Sequence, residues 1–225
     1  MKILSTLGVK GVLDRLVPEY ARQTGIAFDI ACNPTVVQMQ AIEAGARADM
    51  ALLTAAGIDE LIAKGVLRAG SAVPLARSKV GLAVPQGAPR PSIATRDDVV
   101  RALCAAEHVV YSGSGASGIY FSGLLKRLGI ADAVNERAVI IPKGFTAELL
   151  RDGRATLAVQ QVSELMSVAG VDVLGPLPDE IQDDLVFTGG IFAEAADPEA
   201  AMAFLRHISG PGRAALYREM GLFDI

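Results

Sequence analysis

Apolar and polar positions alternate between two periods along this chain, and the alternation predicts a repeated strand–helix unit. Lys2–Ser5 reads as a strand, and Val9–Thr24 follows as a helix with Leu13, Leu16, Val17 and Tyr20 on its apolar face, ended by Gly25. A strand over Ile26–Ala31 leads through Cys32-Asn33-Pro34-Thr35 into a helix over Val36–Ala44, ended by Gly45. Asp49–Leu53 is a buried strand closed by Thr54, where a third helix starts, and Ile58–Lys64 with Gly65 completes that unit. Further strands are expected at Lys79–Val84, His108–Tyr111, Ala138–Ile141, Thr156–Gln160, Val171–Leu174 and Leu185–Phe192. Helices are expected at Arg96–Ala106, Ile119–Leu128, Thr146–Arg151, Pro198–His207 and Gly212–Met220. The predicted fold is α/β with doubly wound sheets.

Polar residues recur where strands run out: Ser5 and Thr6, Asn33 and Thr35, and Thr54. In an open parallel sheet that edge is where ligands bind. Pro85-Gln86-Gly87-Ala88-Pro89-Arg90-Pro91 is the strongest loop signal and the expected lobe boundary, giving one lobe over 1–84 plus 186–225 and a second over 85–185.

The densest polar stretch is Tyr111-Ser-Gly-Ser-Gly-Ala-Ser-Gly118, between an apolar strand and a helix. Its N–H groups, the helix dipole, and Ser112, Ser114 and Ser117 suit a small anion. The other reading is a βα turn that only caps a helix. Gly113, Gly115 and Gly118 also match the dinucleotide spacing G-x-G-x-x-G, but Ile140-Ile141-Pro142 stands where an acidic residue should close the next strand. No Gly-Lys-Ser/Thr follows, which excludes the phosphate-binding P-loop.

Composition narrows the functional classes. The net charge of −4 is spread among interspersed acids and bases, so neither nucleic acid nor a membrane surface is indicated as partner. No run is long and apolar enough to insert in a bilayer. Cys32 and Cys104 have no metal-ligand or redox spacing, and His108 and His207 stand alone, so neither a metal nor another cofactor is expected. No secretory signal precedes the first strand, which points to a cytoplasmic protein, or to a periplasmic one if the sequence is a trimmed mature chain.

Together, the Tyr111–Gly118 loop, Gln160-Gln161-Val162-Ser163-Glu164-Leu165, and Val171-Asp-Val-Leu-Gly-Pro-Leu-Pro178 resemble the type II periplasmic solute-binding fold. Within it they resemble the molybdate-binding-protein-like branch, and especially the subgroup that includes aconitate isomerase. The resemblance implies two lobes with a small anion in the cleft between them. It makes Ser5, Thr6, Asn33, Thr35, Thr54, Ser112, Ser114, Ser117 and Gln161 candidate ligand contacts. Where molybdate binders have a serine-rich second loop this chain has Asn33-Pro34-Thr35, which favours a di- or tricarboxylate over a tetrahedral oxyanion. Lys143 and Glu164 are the titratable groups nearest the expected cleft, although a lysine there is ordinarily solvated and a first-turn Glu ordinarily a cap. The expected function is a cofactor-free 1,3-proton shift on a small polycarboxylate. The alternative is a receptor for carboxylates or molybdate-like oxyanions, serving an ABC permease if exported.

Overall fold

The structure, a computed structural model, describes residues 1–225. By its internal contacts the chain divides into two units, Met1–Ser78 with Leu185–Ile225, and Lys79–Asp184. The proline-rich segment Pro85–Pro91 lies within the second unit, where its first strand ends.

In chain order the first unit is built from β1 (Lys2–Ser5), α1 (Lys10–Thr24), β2 (Asp29–Cys32), α2 (Thr35–Glu43), β3 (Met50–Thr54), α3 (Ala55–Ala63) and β4 (Val73–Ser78). The second unit holds β5 (Val80–Pro85), α4 (Arg96–Ala105), β6 (Val109–Ser112), α5 (Ala116–Arg127), α6 (Ala131–Asn135), β7 (Val139–Ile141), α7 (Glu148–Arg151), β8 (Leu157–Gln161), α8 (Val162–Met166) and β9 (Val171–Pro176). The chain then returns to the first unit with β10 (Leu185–Ile191), α9 (Pro198–Ser209) and α10 (Ala214–Glu219).

Each unit has a five-stranded sheet, ordered β2-β1-β3-β10-β4 and β7-β6-β8-β5-β9. Three strands in each are parallel, and the remaining two run antiparallel to their neighbours. The parallel strands have short apolar cores buried on both faces. Met50, Ala51, Leu52 and Leu53 of β3 are all fully buried, between one cluster with Val12, Leu16 and Phe204 and another with Ile58 and Leu61. In the second unit Leu82, Val109, Val159, Phe121 and Leu125 form the corresponding core.

Two expected helices need correction, and one strand was not expected at all. β4 lies in a stretch to which the sequence reading gave no element; Pro74 is tolerated in it because β4 is the edge strand of its sheet. The helix expected over Thr146–Arg151 runs only over Glu148–Arg151, since the Thr146 N–H and hydroxyl are both drawn to Gln160. The helix expected from Ile119 begins at Ala116, so Ser117 lies in its first turn rather than in the preceding loop. The third helix starts at Thr54 as expected, where the Thr54 hydroxyl caps it by accepting from the Gly57 N–H.

Candidate functional site

Register places the polar strand ends of each unit side by side. In the first unit Ser5 is level with Cys32 on β2 and Leu52 on β3, and Thr54 is level with Phe187 on β10. One sheet edge therefore carries Ser5, Thr6, Asn33, Thr35 and Thr54. In the second unit Ser112 is level with Ile141, Val110 with Ala158, and Gln161 with Val80. That edge collects Ser112, Ser114, Ser117, Lys143, Gln161 and Glu164. The candidates thus form two groups, one in each unit.

The hydrogen bonds sort these residues into those that build the edge and those whose polar atoms have no partner in the chain. Ser112 Oγ accepts from the N–H groups of Gly115 at 2.9 Å and Ser114 at 3.3 Å. Gly113 N–H donates to the Ile141 carbonyl at 2.8 Å, and the Ser114 hydroxyl donates to the Pro142 carbonyl. Three loop N–H groups are therefore consumed, two inside the turn by Ser112 Oγ and one by the end of β7, which shapes the loop. What remains open is the start of α5, where Ala116 and Ser117 have N–H groups that no earlier turn of the helix can satisfy. The Ser117 side chain is buried and makes no hydrogen bond with the protein.

The first unit shows the same division. Ser5 donates its hydroxyl to the Thr6 carbonyl and Thr54 is a helix cap, whereas the hydroxyls of buried Thr6 and Thr35 have no partner in the chain. Gln38, which sequence reasoning did not single out, is buried and ties two strand ends together. Its Nε2 donates to the Ser5 carbonyl at 2.9 Å and to the Ala31 carbonyl at 2.6 Å. A buried glutamine one turn into a helix that opens at a strand end was the available signal.

The glycine spacing at 113–118 is explained without a nucleotide. α5 packs so closely on the end of β6 that a Cβ at Gly118 would overlap the Ser112 carbonyl. A Cβ at Gly115 would lie 3.1 Å from Ser112 Oγ. These glycines serve a tight strand-to-helix turn, which is the packing part of the dinucleotide fingerprint without its acidic partner.

Glu164 is the one strongly perturbed acid of the second edge. It stands in the first turn of α8 and forms a reciprocal cap with Gln161, whose N–H donates to Glu164 Oε2 at 3.3 Å. Burial pushes its carboxyl up to about 7, against the opposing pull of hydrogen bonds from the Gln161 N–H and the Gln160 side chain. Next to it the Ser163 hydroxyl is sealed from solvent with no partner. Lys143, by contrast, is exposed and makes no ion pair. No group of three or more His, Cys, Asp or Glu side chains is placed to hold a metal ion. No helix is long and apolar enough to cross a membrane.

Comparison with known proteins agrees with this geometry. A family model described as bacterial extracellular solute-binding protein matches residues 1–223. An aconitate isomerase from Pseudomonas sp. is 33% identical over 228 residues, covering 99% of this chain and 87% of that protein. The periplasmic molybdate-binding protein of Azotobacter vinelandii superposes with a TM-score of 0.81 at 20% identity, over 99% of this chain and 98% of the other. The sulfate-binding protein of Mycobacterium tuberculosis superposes with a TM-score of 0.75 at 15% identity, over 99% of this chain and 85% of the other. The chain belongs to the bacterial extracellular solute-binding protein family, and its fold is that of the type II periplasmic binding proteins.

Proposed function

With that family as premise, we propose that this protein binds a small, multiply charged carboxylate and interconverts its double-bond isomers by a 1,3-proton shift. The observation that carries the reading is Glu164. A buried carboxyl that titrates near neutrality sits at the same sheet edge as the α5 N-terminus and the unpaired Ser117 hydroxyl. The 33% identity to an aconitate isomerase, over nearly the whole chain, supports the same chemistry.

In the proposed reaction a base takes a proton from the carbon next to a carboxylate. The electron pair left behind spreads over the allylic carbons into the carboxylate oxygens. Donors already fixed around those oxygens stabilise the charge without having to reorganise. Reprotonation at the far carbon restores neutrality at carbon and moves the double bond, so one proton leaves and one returns. Glu164 is assigned the proton transfer, because a group titrating near the working pH both accepts and returns a proton readily. Lys143, exposed on the 142–146 segment, is the second candidate for acid–base work or charge pairing. Thr6, Asn33 and Thr35 of the first unit are likewise assigned to ligand binding. Ser5, Thr54, Ser112, Ser114 and Gln161 shape the edges that present these donors.

The test is proton NMR of the protein with cis- and trans-aconitate in D₂O. Interconversion with deuterium entering the migrating position is expected. Saturable binding with neither interconversion nor exchange would defeat the enzyme reading.

That outcome would leave the second reading, a receptor that delivers its anion to an ABC permease. The family description as extracellular solute-binding proteins favours it, as do the molybdate- and sulfate-binding structural relatives. The same description supports an exported location over the cytoplasmic one expected from the sequence.

A further inference from the structure

Helix α9 uses two of its faces. Ala201, Phe204, Leu205 and Ile208 are buried in the core of the first unit. Glu199, Met202 and Arg206, spaced i, i+3 and i+7, share another face. That face, with Pro198, lines a cavity of about 490 Å³. Arg68, Ser71 and buried Ile191, the last residue of β10, complete the lining. The volume is that of a small-molecule site.

The cavity is remote from the polar strand ends of the same sheet. On the β3–β10 pair Ile191 is level with Met50, whereas Phe187 is level with Thr54. From Phe187 to Ile191 is roughly 13 Å of strand, at about 3.3 Å per residue.

Hydrogen bonding leaves only charged groups in this lining free for recognition. The Arg68 N–H donates to the Ile191 carbonyl at 2.8 Å. The Ser71 hydroxyl donates to the Arg68 carbonyl at 2.7 Å and accepts from the Ile191 N–H at 3.0 Å. The guanidiniums of Arg68 and Arg206, by contrast, have no hydrogen bond or ion pair. Elsewhere in the first unit Lys10, Arg15, Arg47, Lys64 and Arg218 are held by carboxylates, Arg77 by the Asp224 carbonyl and Arg213 by His207. Lys2, Arg22, Arg68 and Arg206 are the basic side chains left over, and this cavity collects two of them. Glu199 is also unpaired, so two guanidiniums against one carboxylate leave the lining with a single net positive charge. The acids nearby in the chain are occupied: Asp197 accepts from the Ala200 N–H, and Glu194 faces Arg47.

We propose that this cavity is a second binding site, for a small organic anion with one carboxylate or phosphate head and an apolar body. The planar guanidinium fork presents paired donors to either head. Ile191, Pro198 and Met202 give the body apolar contact. A single net positive charge matches one anionic head, and matches poorly the multiply charged carboxylate assigned to the strand ends. The site therefore takes a different class of ligand, and it stands whether or not that assignment holds.

The experiment is an NMR titration of the full chain with hexanoate, with hexyl phosphate and, as the uncharged control, with hexanamide. It follows the Nε–H resonances of Arg68 and Arg206 and the methyl of Met202. Hexanoate, hexyl phosphate or both should move all three signals together to saturation, and the tighter probe identifies the head group. Hexanamide should bind roughly tenfold more weakly, as should the charged probe to Arg68→Gln or to Arg206→Gln, each having lost hydrogen bonding to a charged group. Glu199→Gln should tighten binding of the charged probe. Both arginines are exposed, so neither substitution disturbs the core. The absence of a saturable shift with either anion overturns the proposal. So does hexanamide binding as tightly as the anions, and so does an affinity unchanged in the Arg68→Gln/Arg206→Gln double variant.

Discussion

Gly118 lies against the backbone of Ser112 so closely that a side chain at 118 would occupy the space of the Ser112 carbonyl. This contact sets how α5 leaves β6, and hence where the Ala116 and Ser117 N–H groups point. Gly118→Ala must move a helix rather than a flexible side chain. We expect a loss of stability of at least 1–3 kcal/mol, roughly the cost of overpacking a tight core. Urea denaturation measures it, and an unchanged midpoint would mean that α5 is not fixed by this contact.

Ser117 and Ser122 provide a matched comparison on one helix. Ser117 is buried in the first turn with a hydroxyl that has no partner, whereas Ser122 is half-buried further along. Losing a hydrogen bond to a charged ligand costs about 1.5–3 kcal/mol, so Ser117→Ala should weaken carboxylate binding by roughly ten- to a hundredfold. Ser122→Ala should leave it unchanged. Calorimetric titration of both variants with tricarboxylates decides the point, and equal affinities would move the site away from α5.

Thr6 tests whether the first unit takes part in binding. Thr6→Val keeps the shape and removes a hydroxyl with no partner in the chain, so the fold should be little affected. Calorimetric affinity for tricarboxylates should fall. A variant that binds them as tightly as the wild type would leave Thr6 without a binding role.

Glu164 gives stability a pH dependence of definite sign. Its carboxyl is raised from the ordinary 4.5 to about 7 by burial, so the unfolded chain ionises first as pH rises. Below about 4.5 both states hold the proton and this group contributes its full stability. Between about 4.5 and about 7 only the folded state holds it, and stability falls with increasing pH. Glu164→Gln cannot titrate and should lack this component. Subtracting its stability profile from that of the wild type should leave a curve that declines through this window and then flattens. A flat difference would mean that the carboxyl titrates normally.

Much of the fold was legible because local chemistry settles it. Gly25 terminates α1 in a left-handed conformation, Thr54 and Thr95 cap their helices, and the apolar runs of β3 and β8 are buried as their composition demands. The candidate site was legible to the extent that strand ends are polar for a reason, since a buried sheet tolerates serine, threonine or glutamine best where the chain leaves it. β4 was not legible, because whether Pro74 breaks a strand depends on whether that strand is at an edge, and the edge is created by β10 arriving from more than a hundred residues away.

By itself, then, the sequence determined the α/β class, the order of most strands and helices, and the loops that carry hydroxyls and amides. Only the tertiary structure decided which of those groups are spent and which are left to act. Ser112, Ser114 and Thr54 satisfy turns and caps, whereas Ser117 and Thr6 are left unpaired. Glu164 keeps its capping role and also acquires a proton affinity near neutrality, because the packing of α8 on three strands removes it from water. The reason is general: hydrogen-bond partners and desolvation depend on neighbours distant in the chain, and spacing along the sequence carries no information about them.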